Sequence, residues 1–388
     1  MERAQELYQE RLTRLNTAFA NGKPDCVPIL SMAAEYVYRI QDIRPIDAYQ
    51  DIGVMEKAYR NFFSEVYFDG FLIPVIGRNK LDTLRLLGGG TSQYLPDGSF
   101  QTKPGSINVM EPSEYDDLIA DPARFFIEKV MPRRFKLLAE DYSAEKYETF
   151  VEALRSLLAG RSATQPVTDM LKHELGLVEL QQGGMYNPVD IILDFLRDFQ
   201  GISGDIKRRP EAVRDAGLAI MDWLLAMATM NPPDENKRIT IPMHLPTFLR
   251  PKEFETVYWP SYKKFAYALA ERGYQIYYLF EGNYEHLHDY LQELPKNRVS
   301  GLFEHDDLKL VKKNLGHMMC IVGGMPTRML YYQTPEECIA HVRNVLDTVA
   351  VDGGFILGPD VPMLSKTDGK LANFKAVNDF VHHYGLYS

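Results

Sequence analysis

The sequence has 388 residues, of which 45% are hydrophobic and 25% are charged, and its formal net charge is −10 at pH 7. This is a globular balance, long enough for two or three domains or for one α/β barrel. The negative charge argues against a nucleic-acid partner, because phosphate binding needs a positively charged surface. No apolar run is long enough to cross a bilayer, so we expect no membrane association.

The three cysteines, Cys26, Cys320 and Cys338, lie far apart and lack the spacing of a metal site. A sparse, odd number of cysteines predicts a reducing, cytoplasmic environment without disulfides. Cys320 stands in the apolar run MMCIV, which predicts a buried structural thiol.

The chain begins with an amphipathic helix, MERAQELYQERLTRLNTAF, and continues with short apolar runs separated by predicted helices. The runs lie at 26–32, 66–76, 175–184, 238–246, 274–282, 299–305, 318–324 and 353–360. The helices are predicted at 56–64, 189–200, 211–229, 260–272, 284–294, 307–315 and 335–350. Strands that are hydrophobic at nearly every position are buried on both faces, as in a parallel sheet. The alternation predicts an α/β fold, and the eight runs predict a (β/α)8 TIM barrel.

A long segment separates the second and third runs. It contains GGGTSQYLPDGSFQTKPG, which predicts a hairpin turning at Asp97–Gly98, and a helical stretch from about 113 to 160. We therefore interpret residues 1–388 as a single TIM-barrel domain, with residues 77–165 as a cap or lid inserted after the second strand.

Polar residues end three consecutive runs: His244 the fourth, Glu281 the fifth and Glu304 the sixth. The carboxyl ends of barrel strands meet at one mouth, so we expect these side chains to converge. Such nitrogen and oxygen groups suit Zn²⁺ and would equally suit an acid/base cluster. His305 is the alternative to Glu304 as the ligand from the sixth strand. The other interpretation is that each is a hydrogen-bonded polar group at a strand end.

Glu281 is the most informative of the three, because it ends the apolar run YYLFEG. An unpaired carboxylate is costly to bury, which favours a functional role for it. His286 and His288, in the helix that follows, are predicted to lie on the surface or at the rim.

Glycines mark the ends of two further runs, where they allow a backbone to approach a ligand closely. We therefore expect Gly323 and Gly324 to contact a cofactor. The third run ends on Met185, Tyr186 and Asn187, which lie at the predicted mouth.

The second half of the sequence resembles the uroporphyrinogen decarboxylase superfamily over roughly residues 170–388. The resemblance rests on an ordered series of segments: FLRDFQGISGDIKRRPEAVRDA, LRPKEFETVYWPSYKKFAYALAERG, LKLVKKNLGHMMCIVGGMPTRML, TPEECIAHVRNVLDTVAVDGGFILGPD and LANFKAVNDFVHHYG. It implies a TIM barrel and one of two activities. One is cofactor-free decarboxylation, and the other is methyl transfer to or from a corrinoid or thiol, usually on zinc.

The decarboxylase branch has an arginine-rich element after its first strand, which binds substrate carboxylates. Here that strand leads into SMAAEYVYRIQDI, where Arg39 is the only cation before Arg44. The thiol-methylating branch has His-x-Cys at the end of its fifth strand, where this chain has Leu279, Phe280 and Glu281. The thiolate zinc site is therefore absent, and a carboxylate would make a harder, more Lewis-acidic site.

The resemblance therefore implies a methyltransferase of the O-demethylase type. It would move a methyl group from a methyl ether, such as a methoxylated aromatic, to the Co(I) corrinoid of a partner protein. His244, Glu281 and Glu304 would surround the zinc ion, and Met32, Met185, Tyr186 and Asn187 would contact the small-molecule donor. A homodimer is one expected state. The alternatives are methyl transfer from a methylcorrinoid to tetrahydrofolate or another carrier, a decarboxylase-like lyase, and a binding protein without a metal site.

Overall fold

Strands and helices alternate along the chain in the computed structural model, which describes residues 2–72, 80–103, 105–139, 141 and 143–387. The strands are β1 Leu30–Ser31, β2 Gly70–Phe71, β3 Ser92–Tyr94, β4 Phe100–Thr102, β5 Val178–Glu179, β6 Gln181–Gly184, β7 Arg238–Met243, β8 Gln275–Phe280, β9 Val299–Phe303, β10 Cys320–Met325 and β11 Phe355–Pro359. Every predicted apolar run overlaps at least one of these strands, and the third run contains both β5 and β6. Positions 73–76 of the second run lie outside the described residues.

The helices follow the strands in the predicted order. They are α1 Glu2–Phe19, α2 Tyr36–Arg39, α3 Pro45–Gln50, α4 Ile52–Glu65, α5 Lys80–Leu87, α6 Tyr115–Ala120, α7 Pro122–Phe125, α8 Met131–Arg134, α9 Lys136–Ala139, α10 Ala144–Ala163, α11 Gln165–Leu175, α12 Pro188–Ile192, α13 Asp198–Arg208, α14 Pro210–Ala228, α15 Pro251–Glu253, α16 Trp259–Glu271, α17 His288–Leu291, α18 Leu308–Leu315, α19 Thr327–Tyr332, α20 Pro335–Thr348 and α21 Leu371–Tyr384. Single turns of π-helix occur at Phe126–Val130, Leu193–Arg197 and Phe254–Tyr258. None of the described helices is long and apolar enough to cross a membrane.

The strands form two parallel sheets and one antiparallel hairpin. The sheets have the orders β1-β2-β5 and β11-β10-β9-β8-β7-β6, and β3 pairs with β4. Only Leu180 separates β5 from β6; its N–H donates to Phe71, and its carbonyl accepts from the N–H of Arg238. At the other edge, Ile29 forms a parallel bridge with Leu357. The α/β prediction with a parallel sheet is confirmed.

Side chains from alternate strand positions of the two parallel sheets pack together in one inner cluster. This inner cluster contains Leu30, Met32, Leu72, Val178, Leu180, Tyr277, Leu279, Leu302, Cys320, Val322 and Ile356. Helix α1 adds Leu15, Ala18 and Phe19, and the Phe19 ring stacks at 3.7 Å on the guanidinium of Arg238, the first residue of β7. The N-terminal helix therefore covers the end where the strands begin, and polar groups collect at the opposite end.

The segment between β2 and β5 has the predicted hairpin and helices. The β3–β4 turn places Gly98 at φ +84°, in the left-handed region that favours glycine. The boundary at residue 77 lies outside the described residues, so 77–165 as a lid stays a prediction.

Two predicted helices differ from the structure. The helix predicted at 189–200 is interrupted by the π-turn Leu193–Arg197, after which Asp198 has φ +53°. The helix predicted at 284–294 is a 3-10 turn, Glu285–Leu287, followed by the short helix α17. Apolar periodicity does not distinguish these tighter or wider turns from an α-helix. Cys26, Cys320 and Cys338 are all buried and free.

Candidate active site

The carboxyl ends of β7, β8, β9 and β11 bring polar side chains together at one end of the strands. A cavity of about 200 Å³ opens there, with Glu281, Glu304 and Asp360 in its wall. Its remaining lining is apolar and consists of Leu279, Phe280, Leu302, Val361 and Pro362. Residues that follow parallel strands share this edge, and Glu281 and Glu304, which were both singled out in the sequence, line this cavity together.

His244 lies between two carboxylates at this mouth. Its Nδ1 is 2.7 Å from Asp194 Oδ2, and its Nε2 is 3.5 Å from Glu281 Oε2. Burial alone would lower the pKa of His244, but the hydrogen bonds to Asp194 and Glu281 outweigh burial and raise it to about 11. The side chain is therefore held as an imidazolium at neutral pH, with one nitrogen oriented by Asp194 and the other facing Glu281.

Asp194 reaches His244 from the π-turn that interrupts the helix after β6. One turn earlier, the fully buried Asp190 accepts hydrogen bonds from the backbone N–H groups of His244 and Leu245 and from the Tyr258 hydroxyl. Burial raises the pKa of Asp190 to about 7, against the stabilising effect of these donors on the carboxylate. The sequence interpretation missed both acids. Their i, i+4 spacing in DIILD, directly after a predicted strand end, was the available signal.

Glu304 lines the cavity, and its Oε2 accepts a 2.6 Å hydrogen bond from the N–H of Gly282. The neighbouring His305 has a largely exposed side chain with Nε2 3.6 Å from Glu304 Oε1. Of these two alternatives, Glu304 is the one in the cavity wall. Among the described residues, no group of three or more His, Cys, Asp or Glu side chains is arranged to hold a metal ion. His244 and Glu281 are adjacent, whereas Glu304 is engaged by Gly282.

The predicted substrate contacts are not equivalent. The Tyr186 ring packs edge-on against His244, with centroids 6.1 Å apart, and burial raises the pKa of its hydroxyl to about 12. Met185 is partly buried nearby, and Met32 belongs to the fully buried inner cluster. Asn187 is fully buried, with Nδ2 3.8 Å from the sulfur of Met243. Tyr186, whose ring packs against the imidazole, is therefore the best placed of the four to contact a donor bound beside His244.

The two predicted glycines lie in β10 with φ of +141° for Gly323 and +95° for Gly324. Gly324 lines a second cavity of about 210 Å³, which shares Glu304 and Asp360 with the first. Asp360 also accepts a hydrogen bond from the N–H of Thr327 at the start of α19.

His288 corrects one expectation. It was predicted to lie at the surface or rim but is buried, with Nε2 3.0 Å from Asp306 Oδ1 and Nδ1 3.1 Å from the Asn314 amide. Asp306, which belongs to the FEHDD segment after β9, binds His288. This is a long-range contact, which the local sequence pattern does not reveal. His286, the other histidine of this segment, has its Nε2 3.0 Å from the carbonyl oxygen of Leu249.

The chain has a parallel α/β fold, and the polar groups at the carboxyl ends of its strands form the candidate site. The model of the uroporphyrinogen decarboxylase (URO-D) family matches residues 167–384, and the chain belongs to this family. Among solved structures, a methyltransferase from Methanosarcina mazei is similar, with a TM-score of 0.61 and 14% sequence identity. The match covers 96% of this chain and 98% of that one, which shows a shared fold. No match to a curated protein was found.

Proposed function

We propose that this protein is a methyltransferase that moves a methyl group from a methyl ether, of the methoxylated-aromatic class, to the Co(I) corrinoid of a partner protein. The arrangement of Asp194, His244 and Glu281 at the strand ends carries the proposal. The positively charged His244 could stabilise the negative charge that forms on the oxygen when a methyl group leaves an ether. The fold shared with a methyltransferase supports it. We also propose that the two sheets form a closed (β/α)8 barrel, since Leu180 and the Ile29–Leu357 bridge join them at both edges.

The lining of the mouth favours methyl transfer over decarboxylation. A porphyrinogen carries several carboxylates, which require cations for binding. Glu281, Glu304 and Asp360 line the first cavity without a lysine or arginine among the described residues, and Lys309 is the single cation lining the adjoining one there. Like charges in a partly buried site repel, so a polycarboxylate is disfavoured there.

The chain's own residues can assist departure of the ether oxygen. The methyl carbon passes to the Co(I) of the partner's corrinoid, which supplies the electron pair of the new bond, and the electron pair of the broken C–O bond stays on the oxygen. The His244 imidazolium would donate a hydrogen bond from Nε2 to the departing oxygen and stabilise its negative charge. Asp194 orients the imidazole through Nδ1. Tyr186, which packs against His244, would contact the aromatic ring of the donor.

Zinc at this mouth is the alternative form of activation in the proposal, because a His244 nitrogen that binds zinc carries no proton. His244 and Glu281 would hold it, because they supply nitrogen and oxygen donors side by side, and Asp194 on the opposite ring nitrogen is typical of metal-binding histidines. Glu304 would join them after releasing the N–H of Gly282. When bound, zinc would supply Lewis-acid activation of the ether oxygen.

The test measures methylcobalamin formation from free cob(I)alamin and a panel of methoxybenzoates, with the wild type and Glu281→Ala. We expect turnover in the wild type and a loss in the variant, with Tyr332→Ala, at an exposed position, as the control. Elemental analysis of the same samples distinguishes the two forms of activation: about one zinc per wild-type chain, lost in Glu281→Ala, supports the metal. Absence of turnover from every ether, with transfer from methylcobalamin to tetrahydrofolate, would overturn the ether proposal in favour of the carrier methyltransferase.

A further inference from the structure

Strand β7 ends at Met243, and the two residues after it leave the sheet with their N–H groups pointing at one buried side chain. The N–H of Leu245 donates to Asp190 Oδ1 over 3.0 Å, and the N–H of His244 donates to Asp190 Oδ2 over 3.3 Å. Buried backbone donors without a partner are costly, so Asp190 replaces the ladder bonds that end with the strand.

Two buried tyrosines complete the contacts at this strand end. The Tyr258 hydroxyl donates to Asp190 Oδ2 over 2.7 Å, and the Tyr284 hydroxyl donates to the carbonyl of Met243 over 2.6 Å. Asp190, Tyr258 and Tyr284 are all fully buried, so none of them can contact a substrate directly. Tyr258 itself belongs to a π-turn, Phe254–Tyr258, a local geometry that is frequent at functional sites.

Asp190 and Asp194 act on the same histidine from adjacent turns of one helical segment. Asp194 binds the His244 ring at Nδ1, and Asp190 binds the His244 backbone. Asp190 lies in α12, and Asp194 lies in the π-turn that follows it without a break. The backbone and the ring of His244 are therefore both held by one continuous helical segment.

We propose that Asp190 is a positioning residue, which fixes the His244 ring between Asp194 and Glu281 through the backbone N–H groups of His244 and Leu245. The positional part stands on these contacts, and its consequence for turnover rests on the proposed function. A carboxylate is required because both of its oxygens accept donors here. In Asp190→Asn, the new amide N–H group would face a backbone N–H or the Tyr258 hydroxyl.

The experiment follows the His244 ring directly, by long-range ¹H–¹⁵N spectra of protein labelled in its histidine rings. The His244 signals are assigned by their loss in His244→Gln. The variants are Asp190→Asn and Tyr258→Phe. The matched control is Tyr278→Phe, which removes a hydroxyl from an equally buried tyrosine with no hydrogen bond to Asp190 within the described residues.

We expect the ring-nitrogen signals of His244 to shift in Asp190→Asn, to shift less in Tyr258→Phe, and to stay unchanged in Tyr278→Phe. Unchanged signals in Asp190→Asn, or an equal shift in the control, would overturn the positioning role. If Asp190→Asn does not fold, Tyr258→Phe is compared with Tyr278→Phe. A larger shift of the His244 signals in Tyr258→Phe supports the positioning role, and equal shifts overturn it.

Turnover with cob(I)alamin and the accepted methoxybenzoate provides the second readout. We expect Asp190→Asn to lower kcat by about 10- to 100-fold with little change in KM, as for residues that orient a functional histidine. Shifted His244 signals in a protein whose wild type transfers no methyl group would uphold the positioning role and reject the proposed function. Shifted signals with an unchanged kcat would overturn the catalytic consequence alone.

Discussion

Asp194 Oδ2 lies 2.7 Å from His244 Nδ1, although the two residues are 50 positions apart in the sequence and stand on different elements. The bond exists because the helix after β6 and the loop after β7 leave the sheet at the same edge. It orients the imidazole so that Nε2 faces Glu281.

Replacement of Asp194 by asparagine should keep the fold and impair the site. The amide oxygen can still accept from the Nδ1 N–H, but it carries no negative charge to stabilise the imidazolium. We expect kcat for methyl transfer to fall by about 10- to 100-fold in Asp194→Asn, with an unchanged circular dichroism spectrum. Activity equal to wild type in a folded variant would show that the Asp194–His244 bond has no role in turnover.

The raised pKa of His244 predicts how stability depends on pH in metal-free protein. The pKa of the imidazole rises from its ordinary value of 6.5 to about 11 in the folded state, so folding favours the protonated form. Its contribution is therefore fully present below pH 6.5 and is lost progressively as pH rises towards 11.

Urea unfolding between about pH 5 and pH 10 measures this dependence, because that range spans most of the interval between the two pKa values. The wild type should lose more stability across this range than His244→Gln, which lacks the titrating group. Parallel pH profiles for the two proteins would contradict the raised pKa.

Gly282 is predicted to resist substitution. Its φ is +94°, and a Cβ at this position would lie 2.4 Å from Thr247 Oγ1. We expect Gly282→Ala to reduce the free energy of unfolding by about 1–3 kcal/mol, since both strain and a steric clash oppose it. Gly183→Ala is the control, because a Cβ there meets nothing within 4 Å. A smaller effect at Gly282 than at Gly183 would mean that the loop after β8 adjusts freely.

The buried ion pair between Arg197 and Asp205 ties the helices after β6 to the segment inserted before β5. Arg197 Nε lies 2.7 Å from Asp205 Oδ2, and its Nη1 donates to the carbonyl of Met110. The Tyr115 hydroxyl also donates to Asp205. We expect Arg197→Ala to cost about 3 kcal/mol of unfolding free energy, because the buried Asp205 carboxylate then keeps only Arg209, at 3.7 Å, as a charged partner.

Thermal and urea unfolding of Arg197→Ala measure this cost. Arg214→Ala serves as the control, since its ion pair with Asp215 is solvent-exposed and such pairs contribute about 0–1 kcal/mol. Equal losses in the two variants would show that burial does not set the strength of the Arg197 contact.

Local pattern was sufficient for much of the fold. The continuous apolar runs at 274–282 and 318–324 predicted buried parallel strands, and β8 and β10 lie there. Thr334 and Pro335 predicted a helix start, and Thr334 caps α20 through a capping box. These features depend on neighbours within a few residues, which is why the sequence contains them.

The amino-acid sequence by itself determined the order of strands and helices, the burial of Cys320 and the placement of His244, Glu281 and Glu304 at strand ends. Only the tertiary structure decided which of these groups meet. It joined His244 to Asp194 and Asp190, directed Glu304 to the N–H of Gly282 and buried His288 against Asp306. The physical reason is that strand and helix signals are local. The partners of a strand-end side chain come from other loops, whose approach depends on helix breaks such as the π-turn at Leu193–Arg197.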